Sequence, residues 1–215
     1  IAPDCNVENE DWTQFTPPRQ VTHWMQGSRK NAADCDPFYD EYVEKRAEQI
    51  VSSEHFSFLL GYYAHLITDA EFQRTIRDEE RVRATWKRID EHPAFREKAA
   101  GMPRNWDSVK CLISREERYR EIKALEAEYL EQNPNSGYLT EILPLKQFPD
   151  YIDYLPPGSI VRKIGVMGIM PQKGDGSAQY VGISREEYSC FVERTVRLVL
   201  EQFAKKGTAE RAARY

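Results

Sequence analysis

The chain has 215 residues, 40% of them hydrophobic and 30% charged, with a formal net charge of −5. That length supports one sizeable core, while the acidic balance lacks the basic footprint of an extended nucleic-acid binder. No run reaches the roughly 18 consecutive apolar residues that a membrane-spanning helix needs.

Residues 1–36 contain Pro3, Pro17, Pro18, Gly27 and many Asn and Asp residues without periodicity. This predicts a long irregular N-terminal segment with short helical turns. It carries Asp4, Trp12, His23 and Trp24, which favours a functional loop over a disordered one. Asp36-Pro37 reads as a helix start, a capping carboxylate followed by proline in the first turn. The stripe Phe38, Tyr42, Val43, Ala47 and Ile50 predicts helix over about 37–51. Ser52 or Ser53 then caps a central helix over about 54–69, and a third helix is expected over about 71–90, with Phe72, Ile76, Val82, Trp86 and Ile89 inward. Pro93 ends it, and short helices are expected on either side of Gly101-Met102-Pro103.

Ser114-Arg115-Glu116-Glu117 has the form of a capping box and opens a helix to about 132, with Ile122, Leu125 and Tyr129 on one face. Pro144, Pro149, Pro156 and Pro157 punctuate residues 138–183. The apolar run Ile160 to Met170 fits either a buried extended segment or a short core helix. Lys173-Gly174-Asp175-Gly176-Ser177 reads as a surface loop and lacks the residue order of a P-loop. Ser184 with Glu187 opens a last helix to about 205, with Tyr188, Phe191, Val192, Thr195, Leu198, Val199 and Phe203 on its apolar face. Without internal repeats or a linker, the reading is all-α: one mostly helical domain over 1–215.

The central helix reads FSFLLGYYAHLITDA over 56–70. His65 and Asp69 fall one turn apart on one edge, with Gly61 a turn earlier and Phe56, Leu59, Leu60, Tyr63 and Ile67 on the opposite face. An imidazole nitrogen and a carboxylate oxygen suit zinc. The same pair can simply hydrogen-bond on a helix surface, but in so apolar a helix an unpaired ionisable group is costly. A zinc site needs three or four ligands, and the chain has four histidines, His23, His55, His65 and His92. His55 lies about 15 Å along the helix from His65, too far to share a metal. His92 precedes a proline at a helix end and is expected to be exposed. His23 and Asp4, both in the irregular segment, remain as partners. Cys5, Cys35, Cys111 and Cys190 form no CxxC pair. Reduced thiols are expected, with a Cys5–Cys35 disulfide the open alternative.

Taken in order, Ile1-Ala2-Pro3-Asp4, then Thr22-His23, then Gly61-Tyr62-Tyr63-Ala64-His65-Leu66-Ile67-Thr68-Asp69 resemble the zinc-dependent phospholipase C-like family, with its phospholipase C/P1 nuclease-type helical fold. That family places an APD-type segment, a His and a GYxxHxxxD-type helix in this sequence. The match covers about the first third of the chain; Ser184 to Phe203 is similar to the closing helix only in character. The resemblance implies an all-α fold with a metal site between helices, Asp4, His23, His65 and Asp69 holding one zinc, and Asp69 reaching towards a second. It places the second metal's ligands before Ile1, in residues expected to precede this sequence. Histidines for a third metal are missing, since only His92 follows the HxxxD helix.

The resemblance further implies hydrolysis of a small-molecule or lipid phosphodiester by zinc-activated water. Asp4 or Asp69 would accept a proton, a weak role for a carboxylate that also ligates metal. Trp12, Trp24, Tyr62 and Tyr63 either line a substrate cleft or belong to the core. The alternatives are a degenerate member that binds a structural metal without catalysis, and a helical zinc nuclease. A cytoplasmic location is expected over secretion.

Overall fold

In a computed structural model that describes residues 2–10, 14–27, 33–167 and 179–215, the all-α expectation holds. Among the described residues the only strands are β1 (Val7–Glu8) and β2 (Phe15–Thr16), an antiparallel pair that sets Val7 opposite Thr16. Trp12 and the loop Lys173–Ser177 lie outside the described residues. No helix among the described residues is long and apolar enough to cross a membrane. No disulfide forms among them; Cys5 and Cys35 are buried, Cys111 and Cys190 exposed.

The irregular N-terminal segment holds a 3₁₀ turn at Ala2–Asp4 and a one-turn helix α1 (Arg19–Thr22). The single helix expected over 37–51 is instead three pieces: α2 (Asp36–Tyr39), a π-helical stretch Asp40–Lys45 and a 3₁₀ turn Ala47–Gln49. Tertiary contacts override spacing here. Tyr42 donates to the Asp153 carboxylate, and Arg46 reaches the same group at 2.8 Å while lying 4.3 Å over the Tyr42 ring. Asp36 does not cap. Asp34 accepts the Asp36 N–H, and Asp36 accepts from the Tyr63 hydroxyl at 2.6 Å.

The central helix α3 (Ser53–Thr75) is longer than its sequence signal, running through the start expected for the third helix. The break falls at residues 76–78, where Asp78 caps α4 (Glu79–Glu91) by accepting the Arg81 N–H. The chain continues as α5 (Pro93–Arg96), α6 (Trp106–Leu112) and α7 (Arg115–Gln132). The undecided apolar run is helical over α8 (Ser159–Met167), and α9 (Arg185–Lys205) and α10 (Thr208–Ala212) close the chain.

The residues group into two compact units. The first comprises Ile1–Gln73, Glu141–Gly168 and Arg194–Tyr215. Its core is aromatic: Phe38, Tyr39, Tyr42, Phe56, Tyr62 and Tyr63 are buried with Leu59 and Leu66. Phe38 stacks on Tyr62 with centroids 4.3 Å apart. Each such side chain contributes roughly 1.5–3 kcal/mol on burial, so α3 is held firmly by the face opposite His65 and Asp69.

The second unit comprises Arg74–Thr140 and Ile169–Glu193. Val82, Trp86, Ile89, Val109 and Ile113 are buried there. Two charged residues are buried with them, Arg81 and Glu121. Arg81 donates to the Gly182 carbonyl at 2.5 Å, and Glu121 accepts the Val181 N–H at 2.7 Å. The apolar face expected of α7 is therefore incomplete: Glu121 is inside and Tyr129 is 59% exposed. A buried carboxylate is tolerated because it satisfies backbone donors that would otherwise be orphaned.

Candidate metal centre

Three chain segments, all in the first unit, deliver the site. Asp4 ends the 3₁₀ turn, which is anchored by buried Ala2 and Cys5 and closed by the Cys5 N–H to the Ala2 carbonyl at 3.0 Å. His23 caps the C-terminus of α1 and donates its N–H to the Arg19 carbonyl at 2.8 Å. His65 and Asp69 sit one turn apart on α3.

His23 is clamped on both sides. Trp24 donates its indole N–H to the Tyr154 hydroxyl at 3.1 Å, Tyr154 meets the Tyr62 hydroxyl at 2.7 Å, and Tyr62 donates to the Thr22 carbonyl at 2.5 Å. Trp24 itself has φ 50°, a conformation that costs of order 1–3 kcal/mol and is held here by its indole bond. Tyr62 and Tyr63 are thus core residues and not cleft walls. The Thr22 hydroxyl donates to the Arg19 carbonyl at 3.4 Å and meets His23 Nδ1 at 2.9 Å. A hydroxyl that donates to the carbonyl and accepts from the ring would place the His23 proton on Nδ1 and leave Nε2 as the ligating nitrogen.

The four residues predicted from sequence come together. His23 Nε2 lies 3.4 Å from Asp4 Oδ1 and 3.5 Å from Asp69 Oδ2. His65 Nε2 lies 3.5 Å from Asp4 Oδ2 and 4.0 Å from Asp69 Oδ1. The tightest group is Asp4, His23 and His65, whose donor atoms all lie within 4.8 Å of one another. Asp69 flanks this triad.

Both Nε2 atoms are buried and make no hydrogen bond. Burying an unpartnered nitrogen is costly, and two of them facing one carboxylate is the arrangement a cation would satisfy. His23 approaches one oxygen of Asp4 and His65 the other, and imidazole nitrogen with carboxylate oxygen is a donor set that can hold a metal ion.

The electrostatics agree. Burial pushes His65 down to about 4, against the pull of Asp4 and Asp69, and keeps it neutral. Burial alone would raise Asp4, but His23, His65 and Arg19 outweigh it and hold the carboxyl well below the usual carboxylate range. A neutral His65 and an ionised Asp4 are ligating forms.

Arg19 is the member that sequence reasoning missed. Its Nη1 lies 3.0 Å from Asp4 Oδ1 and its Nη2 2.5 Å from Asp69 Oδ2, so one guanidinium spans both carboxylates. The only signal was its place four residues before His23, on the same helical edge. Beside it opens a shallow, solvent-open depression lined by Arg19, His23, Leu66, Asp69, Ala70 and Gln73. The other two histidines lie apart from the cluster. His55 stacks on Tyr151 with centroids 4.1 Å apart, and His92 caps α5 by accepting the Ala94 N–H. Compared with known proteins, the chain matches no family model, no curated protein and no solved structure.

Proposed function

We propose that the chain is a metal-dependent hydrolase of phosphodiesters, of the zinc-dependent phospholipase C-like kind, with zinc held by Asp4, His23 and His65. The observation that carries this reading is the pair of buried Nε2 atoms, without hydrogen bonds, that face the two oxygens of Asp4 at 3.4 and 3.5 Å. Bound zinc would supply Lewis-acid charge and a water acidified towards neutral pH.

The chain's own residues do the rest. Thr22 holds the His23 ring at Nδ1, and the Tyr62–Tyr154–Trp24 relay fixes the backbone that carries it. Asp4, with its lowered affinity for protons, remains a ligand. Asp69, beside the triad and outside it, is the carboxylate placed to receive a proton from the attacking water.

Metal content and turnover test this together. One zinc per chain, lost in His65→Ala, with hydrolysis of a chromogenic choline phosphodiester, supports the reading. Asp69→Asn should then keep the metal and lose at least about a hundredfold in kcat. Stoichiometric zinc without turnover would favour a structural metal, to which the Arg19 bridge across both carboxylates lends weight. Absence of zinc from the loaded and desalted protein would overturn both.

A further inference from the structure

The metal reading leaves Arg19 unexplained, and the following rests on that reading. A guanidinium bridging two carboxylates of a metal site is itself a cation in the metal's electrostatic place. Two carboxylates against one guanidinium give the cluster one negative charge in excess. Its Nε is buried and makes no hydrogen bond, so these two carboxylates are the polar partners that the guanidinium has in the site. The side chain is 30% exposed and lines the open cleft, which gives it a route off the carboxylates.

We propose that Arg19 is an exchanging cation. In the metal-free chain it bridges Asp4 and Asp69 and offsets one of their two charges. On metal loading it yields Asp4 to the ion and turns its fork to an anionic ligand in the cleft. The charges balance. A divalent ion added to the cluster leaves one positive charge in excess, and the single negative charge of a phosphodiester cancels it. Guanidinium matches a phosphate's paired oxygens as well as a carboxylate's, so the same group serves both states. Arg19 is then a specificity-determining residue for monoanionic phosphodiesters.

The test uses the full chain, zinc, and dimethyl phosphate as the anion. Zinc affinity is measured by chelator competition in wild type, Arg19→Gln and Arg19→Lys. Removing the competing cation should tighten zinc roughly three- to thirtyfold in Arg19→Gln. Arg19→Lys, which keeps charge but cannot span two carboxylates, should fall between. In the zinc-loaded proteins, dimethyl phosphate should bind wild type at least about fivefold more tightly than Arg19→Gln. Equal or weaker zinc binding in both variants would overturn the exchange, as would unchanged dimethyl phosphate binding. If Arg19→Gln does not fold, Arg19→Lys decides alone. Failure of every protein, wild type included, to bind zinc would instead overturn the metal reading, and the exchange with it.

Discussion

At the scale of single residues, the centre depends on which nitrogen of His23 holds its proton. Thr22 is fully buried, and its hydroxyl links the Arg19 carbonyl to His23 Nδ1. Partners of this kind orient a ligand and raise its basicity, and losing one typically costs 10–100-fold in metal affinity. Thr22→Val keeps the shape and removes the link. It should weaken zinc by about that factor with the far-ultraviolet circular dichroism unchanged; equal affinity would mean that the Nδ1 contact is incidental. His65 differs. Burial dominates its behaviour, and its lone pair is available because the site is too dry to protonate it. The sequence shows neither effect: the Thr22 link is local but needs the turn geometry of residues 19–23, and the burial of His65 depends on residues brought together across 40 or more positions. What it does show is the HxxxD pair, because a helix fixes that geometry locally.

At the scale of elements, α3 positions half the site through an aromatic face that packs Phe38 against Tyr62 and Tyr39 against Tyr63. Gly61 lies one turn before His65 on the same edge, and a Cβ there would meet nothing within 4 Å. Gly61→Ala should therefore raise stability by about 0.5–1 kcal/mol in urea unfolding, from reduced backbone entropy in the unfolded chain. Destabilisation would reveal a close neighbour on that edge. Local signals were the legible ones. Both capping boxes form, Ser114 with Glu117 and Ser184 with Glu187, because their partners are three residues apart. Ser114→Ala should cost about 1 kcal/mol. The elements that sequence misread are those set by distant partners. Asp153 holds the π-helical stretch through Tyr42 and Arg46, and Glu121 is drawn inside α7 by the backbone at 181–182.

At the scale of the molecule, the site couples to stability. His65 is depressed from the ordinary histidine value to about 4, so the unfolded chain binds the extra proton between these values. Its contribution is complete above pH 6.5 and is lost as pH falls towards 4. Chelator-treated protein should lose up to about 3 kcal/mol over that interval, and His65→Gln should flatten the profile. A loss of the same size in the variant would place the acid sensitivity elsewhere. Zinc at a hundredfold excess over its Kd should stabilise the fold by about 2.7 kcal/mol, reversed by chelator. The fold class was readable because helical periodicity is repeated along the whole chain. The division into two compact units was not, since no composition shift or linker marks the borders near residues 73 and 193.

The central claim is the identity of the donor set, and X-ray absorption of the zinc-loaded protein measures it most directly. The expected spectrum has a nitrogen and oxygen shell near 2.0–2.1 Å with the outer scattering of two imidazoles, and His23→Ala or His65→Ala removes half of that scattering. A sulfur shell near about 2.3 Å, or imidazole scattering unchanged in both variants, would contradict a centre built from Asp4, His23 and His65.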